Sequence, residues 1–446
     1  MPRRSKAEPS ELKIWTYQVG FGDCFLLEFI YADQRRYVLV DFGTTGKPKG
    51  TAANLPVRIA QDIKAKCGGK LDAVVATHRH KDHISGFATA ANGKGSGDII
   101  ASLKPKLVIQ PWTEHPRAQP GARSAPLRGI TKGMRRQIAT LGNMHDVALS
   151  SAKLVKRLRK AIDFDLADEV EFLGDDNLKN DSAVKNLARM GRGGKARYVH
   201  YGEKSGLEAI LPGVKVRVLG PPTLEQSQEI ENQRERDPEE FWHFWGRQGL
   251  ASRELGTAGA HTLFPRARKA GDPQWARWFR RRVSEVAADS ALQLVRILDE
   301  AMNNTSVILL FEVGGKRLLF PGDAQIENWL YALSKPEVQR LLRGVDVYKV
   351  GHHGSLNATP KTKLWEQFSK RSRANKPGRL VALLSTMPGK HGSVERATEV
   401  PRRQLLAALN AETTLVTTTK FKPNELVREH SIVFGGRTGP RSRRPA

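Results

Sequence analysis

Val74-Val75-Ala76-Thr77-His78-Arg79-His80-Lys81-Asp82-His83 is the stretch around which this chain is organised. A short β-branched run delivers the backbone to three histidines and one aspartate within six residues. Imidazole and carboxylate are the ligands expected of zinc, iron or manganese, and packing does not account for four of them so close together. If the run is a buried strand, the cluster lies on the loop at its C-terminal end, where open α/β sheets place their chemistry.

Working outward, strand signals recur on both sides. Leu12 to Val19 alternates, Gly20-Phe21-Gly22-Asp23 is a turn, and Cys24 to Tyr31 and Arg36 to Asp41 are the next strands. Asn54 to Lys66 has helical periodicity and stops at Gly68-Gly69. His83 to Ala91 is expected to be a short helix whose first amides face the cluster. Lys106 to Gln110 is a further strand, and Val214 to Leu219 resumes the pattern before Gly220-Pro221-Pro222. Val307 to Phe311 and Arg317 to Phe320 flank a Gly314-Gly315 hairpin turn. Gly322-Asp323-Ala324 then opens a helix through Leu333, and Val345 to Val350 runs into Gly351-His352-His353-Gly354-Ser355. Leu380 to Leu384 and Thr414 to Thr418 are late strands, with a helix from Arg402 to Asn410 between them.

Strand-rich halves around a helical middle imply one α/β (α+β) domain over residues 1–446, interrupted by insertions at 113–200 and 223–302, with a basic tail at 437–446. The first insertion carries a helix around Ala152 to Ile162, on which Lys153, Lys156, Arg157 and Lys160 form a basic face. In the second, Trp242, Trp245, Trp275 and Trp278 pair at helical spacing, a core pattern, and Arg280 and Arg281 adjoin Trp278. These six basic residues are the candidate nucleic-acid contacts.

Charge narrows the partners. Lys and Arg number 73 against 46 Asp and Glu, a net +27, which favours polyanions such as nucleic acid. No apolar run reaches the roughly 18 to 20 residues of a membrane span, and Met1 to Ser10 has no apolar signal core. Two cysteines, Cys24 and Cys67, make neither a disulfide framework nor a thiolate metal site, with Cys24 a buried thiol. A cytoplasmic protein, working alone, as a homo-oligomer or with protein partners, is the expectation.

Three strand-end signals align: His-x-His-x-Asp-His at 78 to 83, Gly-Asp-Ala at 322 to 324, and His-His-Gly-Ser at 352 to 355. With Asp41-Phe42-Gly43 they resemble the metallo-β-lactamase superfamily of metal-dependent hydrolases. A closer likeness is to the hydrolase domain of ComEC-type DNA-uptake proteins. It rests on Val19 to Cys24, Thr77 to His83, Val218 to Pro222, Asn303 to Val307, Pro321 to Asp323 and Lys349 to Ser355, in that order along the chain. Membrane helices, which ComEC proteins carry, are not seen in this sequence, so transport through a channel is not transferred.

The resemblance implies a four-layer αββα sandwich holding one or two divalent metals, zinc or manganese, with magnesium as a further choice. On that likeness His78 and His80 hold the first metal, Asp82 and His83 the second, and Asp323 bridges them. His352 completes the second site, although sequence leaves open whether it or His353 turns inward. Asp82 would orient the nucleophile and His353 would serve as acid. Asp41, Asp23, Asn304 and Ser355 would support the ligands from outside. Superfamily members mostly carry another histidine before the bridging aspartate, and here Asn303-Asn304-Thr305-Ser306 takes its place. The implied activity is hydrolysis of DNA or RNA phosphodiesters by metal-activated hydroxide. Hydrolysis of a small ester, lactone or nucleotide is the alternative enzyme, and a nucleic-acid-binding component with a vestigial site the non-enzymatic one.

Overall fold

The computed structural model describes residues 8–48, 50–51, 54–115, 180–223, 225–227, 302–355, 358–391, 399–422 and 424–434. The candidate contacts Lys153, Lys156, Arg157, Lys160, Arg280 and Arg281, the four paired tryptophans and the tail at 437–446 lie outside those residues.

The first sheet grows from β1 (Glu11–Tyr17), β2 (Cys24–Ile30) and β3 (Arg35–Phe42), consecutive antiparallel neighbours. In β1 the buried positions alternate, as expected of a strand with one covered face. In β2 nearly every side chain is buried, because Phe25, Leu27 and Phe29 face the second sheet while Cys24 and Leu26 face the helix side. Three strands then add in parallel: β4 (Ala73–Val75), β5 (Leu107–Pro111) and β6 (Ala196–Val199). The second sheet pairs β7 (Lys215–Gly220), β8 (Ile308–Val313) and β9 (Lys316–Phe320) antiparallel. It continues in parallel through β10 (Val347–Lys349), β11 (Val381–Leu384) and β12 (Thr414–Thr417). A last strand, β13 (Val427–Val433), returns to pair with β1, so the first sheet has seven described strands and the second six.

Both sheets are mixed and pack face to face. Phe25 and Phe29 from the first meet Phe311 and Phe320 from the second, with Phe25 and Phe311 each set edge-on to Phe320 at centroid distances of 5.9 and 6.0 Å. Outside the first sheet lie α1 (Leu55–Lys66), the single turn α2 (Lys81–Ile84), α3 (Ser96–Ser102) and α4 (Asp181–Met190). Outside the second lie α5 (Ile326–Leu333), α6 (Pro336–Arg343) and α7 (Arg403–Glu412). Among the described residues no helix is long and apolar enough to cross a membrane. Cys24 and Cys67 are both buried free thiols.

Two expectations change and one strand is new. The insertion placed at 113–200 does not extend to residue 200, since α4 buries Ala183, Leu187 and Met190 against the helix layer and β6 is a sheet strand. The helix expected over His83 to Ala91 is one α-helical turn followed by a 3₁₀ turn, Ser85–Phe87. Ser85 is drawn out of line by bonds from its hydroxyl to both backbone groups of Thr44, and Gly86 lies flat on the Phe42 ring. Finally, β13 escapes the strand pattern, because its mostly half-buried and exposed residues include Arg428, Glu429, His430 and Ser431.

The order of the strands brings the C-terminal ends of the parallel runs of both sheets to one edge of the stack. Two consequences of the packing are measurable. Phe320→Ala should cost about 3–5 kcal/mol in urea unfolding, whereas Val433→Ala, at a position 71% exposed, should change stability by less than about 0.5 kcal/mol. On the second sheet, Glu312 accepts from Arg217 at 2.7 Å and Arg317 at 3.4 Å. Partial burial would raise its pKa, and the two arginines outweigh that and hold it below the usual value. A folded value below the unfolded one stabilises above the unfolded pKa and is lost as pH falls through the folded pKa. Glu312→Gln should therefore lose up to about 1 kcal/mol at neutral pH. That deficit should vanish in unfolding titrations run below the carboxylate range.

Candidate metal centre

Five strands end by delivering polar side chains to the same edge. Asp41 closes β3, the Thr77–His83 loop follows β4, Asp323 follows β9, His353 follows β10 and Ser385 follows β11. Asp23 enters from the turn before β2. All of these side chains except Arg79 and Lys81 in the loop are buried.

Asp41 organises the loop. Its backbone is left-handed (φ 54°), uncommon outside glycine. Its carboxylate accepts the Thr77 N–H at 2.7 Å on Oδ1, and on Oδ2 the Thr77 hydroxyl at 2.7 Å and His83 Nδ1 at 2.8 Å. Because the Thr77 hydroxyl donates to Asp41, it accepts from His78 Nδ1 at 3.2 Å. His353 Nδ1 donates to the Ser385 carbonyl at 3.0 Å. Each of these three imidazoles thus has its Nδ1 turned outward and its Nε2 turned toward the cluster.

Those Nε2 atoms converge. His353 Nε2 lies 2.8 Å from Asp82 Oδ2 and 3.5 Å from Asp323 Oδ2; His83 Nε2 lies 2.9 Å from Asp323 Oδ2 and 3.9 Å from Asp82 Oδ2. Yet His78 Nε2, His83 Nε2 and Asp323 Oδ2 are buried without a hydrogen bond to any described residue. Buried polar atoms are rarely left so, and these three, crowded beside Asp82 and His353, suit a cation between them. Three groups among the described residues have donor atoms within 4.8 Å of one another: His78, His80 and Asp82; Asp82, His83, Asp323 and His353; and, behind them, Asp23, Asp41 and His83. These buried His/Asp groups could hold a metal ion, and their imidazole and carboxylate donors, with no thiolate, fit a divalent one.

Electrostatics agree with the geometry. Burial, then the neighbouring imidazoles of His83 and His80, push His78 well below the usual pKa, so it is a neutral donor. At His83 burial acts the same way, but the carboxylates of Asp323, Asp82 and Asp41 outweigh it and hold the value well above the usual one. The same field that retains that proton attracts a cation, so binding would release protons.

The structure sorts the sequence-derived candidates. His78, His80, Asp82, His83 and Asp323 come together, and Asp41 and Asp23 lie directly behind them. His352, the histidine chosen as ligand, is not in the cluster; His353, assigned as acid, is. The physical reason is the turn: His352 (φ 44°) and His353 (φ 52°) are both left-handed. This directs the His352 N–H to Asp323 Oδ1 at 3.1 Å and its Nδ1 to the Ser355 hydroxyl at 3.0 Å, while His353 points inward. Asp82 is the carboxylate common to the His78/His80 group and the His83/His353 group, and Asp323 falls in the latter. Asn304 is bonded to Glu327 at 2.9 Å and to the Asn328 N–H at 3.4 Å on α5. Ser306 instead accepts the Asp323 N–H at 3.2 Å.

Sequence reasoning missed three contributors. Lys349 is buried with its ammonium on Asp23 and Asp323, and a lysine inside an apolar strand gives no signal of its partners. The Phe21 ring lies between His353 and His391, at 4.3 and 4.2 Å. Gly43 passes so close to the Asp82–His83 peptide that a Cβ would stand 2.3–2.4 Å from its backbone atoms, so no other residue fits there unmoved.

No protein-family model matches the chain, and no curated protein matches it either.

Asp41 belongs to neither of the two groups that contain Asp82 and reaches them through Thr77 and His83, so its role is separable. Asp41→Asn should lower divalent-metal affinity about 10–100-fold, measured by titrating chelator-stripped protein, with far-UV circular dichroism unchanged.

Proposed function

We propose that this chain is a metal-dependent hydrolase of the metallo-β-lactamase type, acting on phosphodiesters of DNA or RNA. The observation that carries the reading is the convergence of inward-turned imidazole nitrogens and carboxylates from the ends of both sheets. Helices outside two face-to-face sheets are the layering that the superfamily resemblance leads one to expect.

In this reading His78, His80 and Asp82 hold one cation, and Asp82, His83, Asp323 and His353 hold another. Zinc or manganese suits the donor set, with magnesium less suited to so many imidazoles. The bound metal would supply Lewis acidity, polarising the scissile group and activating water at neutral pH. The chain's own residues supply the rest. Asp41, Thr77 and Ser385 fix the imidazole tautomers, and Phe21 walls the cluster beside His353. Four buried carboxylates, Asp23, Asp41, Asp82 and Asp323, face one buried ammonium, Lys349, an excess of three negative charges when the imidazoles are neutral. One divalent ion leaves that excess negative; two reverse its sign and favour an anionic substrate.

A polyanionic substrate follows from the net +27 of the chain. In nuclease assays with added manganese or zinc, His80→Ala and Asp323→Ala should each lose more than about 100-fold, beyond what outer partners contribute. Cleavage and binding should weaken steeply between low and high salt. Activity surviving in both variants would remove the assignment, and salt-insensitive hydrolysis of a small ester would redirect it to the small-substrate alternative.

A further inference from the structure

Lys349 is a cation inside the fold that the chemistry above does not use. It sits at the end of β10, 2% exposed, with its ammonium paired to Asp23 Oδ2. It also lies 3.0 Å from the Gly322 carbonyl and 3.3 Å from Asp323 Oδ1. A buried ammonium is costly unless paired and hydrogen-bonded, and these three oxygens meet that requirement. Burial opposes its charge, but Asp23 and Asp323 outweigh that and hold the amine above its ordinary pKa.

The two oxygens of Asp323 are used differently. Oδ1 takes the Lys349 ammonium and the His352 N–H, while Oδ2 makes no hydrogen bond and faces the Nε2 atoms of His83 and His353. We propose that Lys349 is a positioning residue: its ammonium holds Asp323 Oδ1 so that Oδ2 alone is offered to a cation, and its charge lowers the cation affinity of the cluster. The inference rests on the reading that the cluster takes a divalent metal.

Two effects follow from one side chain. Without the ammonium, the cluster carries one more uncompensated negative charge, and Asp323 is free to present its second oxygen. Lys349→Met keeps the length and apolar stem while removing the charge. The double variant Asp23→Asn/Lys349→Met removes the ion pair as a unit, restoring the charge balance while still releasing Oδ1. It also removes the cost of one buried charge left alone.

The test is titration of the full chain, stripped by chelation, with zinc by calorimetry and with cobalt(II) by visible absorption. Lys349→Met should bind zinc at least about 100-fold more tightly, below the roughly 1,000-fold that one unit charge about 4 Å away supplies at an effective dielectric of ~20. Its cobalt spectrum should differ from that of the wild type, because the donor set has changed. The double variant should return to near wild-type zinc affinity while keeping the altered spectrum, and it carries the test if Lys349→Met does not fold. Wild-type affinity and spectrum in both variants, or weaker binding in Lys349→Met, would overturn the role of Lys349 and leave the metal site standing. A wild-type protein that takes up neither metal would overturn the metal reading itself, and this inference with it.

Discussion

The carboxylate of Asp41 is the contact on which the site depends. It accepts from the Thr77 amide, the Thr77 hydroxyl and His83 Nδ1, and through that hydroxyl it also sets the ring of His78. A carboxylate with this many donors is held in one orientation. The loop after β4 therefore has little freedom: its first residue is tied at two atoms and its last by an imidazole. Gly43, one strand over, lets the Asp82–His83 peptide come close enough for that tie to close. The short α2 turn then follows from the geometry, since the chain is already anchored at both ends of the histidine motif.

Much of this was legible in the residues themselves. Strands with strong apolar runs, such as Cys24–Ile30 and Ile308–Val313, lie within a few residues of where their patterns place them, because burial on both faces leaves little room for another reading. The donors at 78 to 83 and at 323 were visible because metal ligands cluster at strand ends. What was not legible depends on backbone torsion or on distant partners. His352 and His353 are chemically identical neighbours, and only two consecutive left-handed residues decide which imidazole faces Asp82. Asn304 and Ser306 are both polar residues before β8, and only the approach of α5 commits Asn304 elsewhere. Likewise α4 and β6 lie beyond a long polar stretch, and their place in the first sheet is fixed by contacts with Phe87, Gly97 and β5.

Electrostatically, the interior edge of the two sheets is built against ordinary economy. Four carboxylates and four imidazoles are gathered where water is excluded, with one ammonium among them. Hydrophobic burial across the phenylalanine contacts between the sheets offsets the cost of holding them there. The net charge of the chain is opposite in sign to this buried excess. Among the described residues the acidic groups are thus gathered inside the site edge, within a chain whose sequence is strongly basic.

The bond between His353 and Asp82 joins residues 271 positions apart, one from each sheet. Neither sheet alone contains a full donor set, since His78, His80, Asp82 and His83 belong to one and Asp323 and His353 to the other. The cluster is therefore a latch between two halves, and it exists only once they have docked. A chain interrupted between Val199 and Lys215 would yield two fragments, the second also carrying β13 of the first sheet, and neither would hold the full donor set. Reassociation of such fragments would be reported by the reappearance of a site that neither can form in isolation.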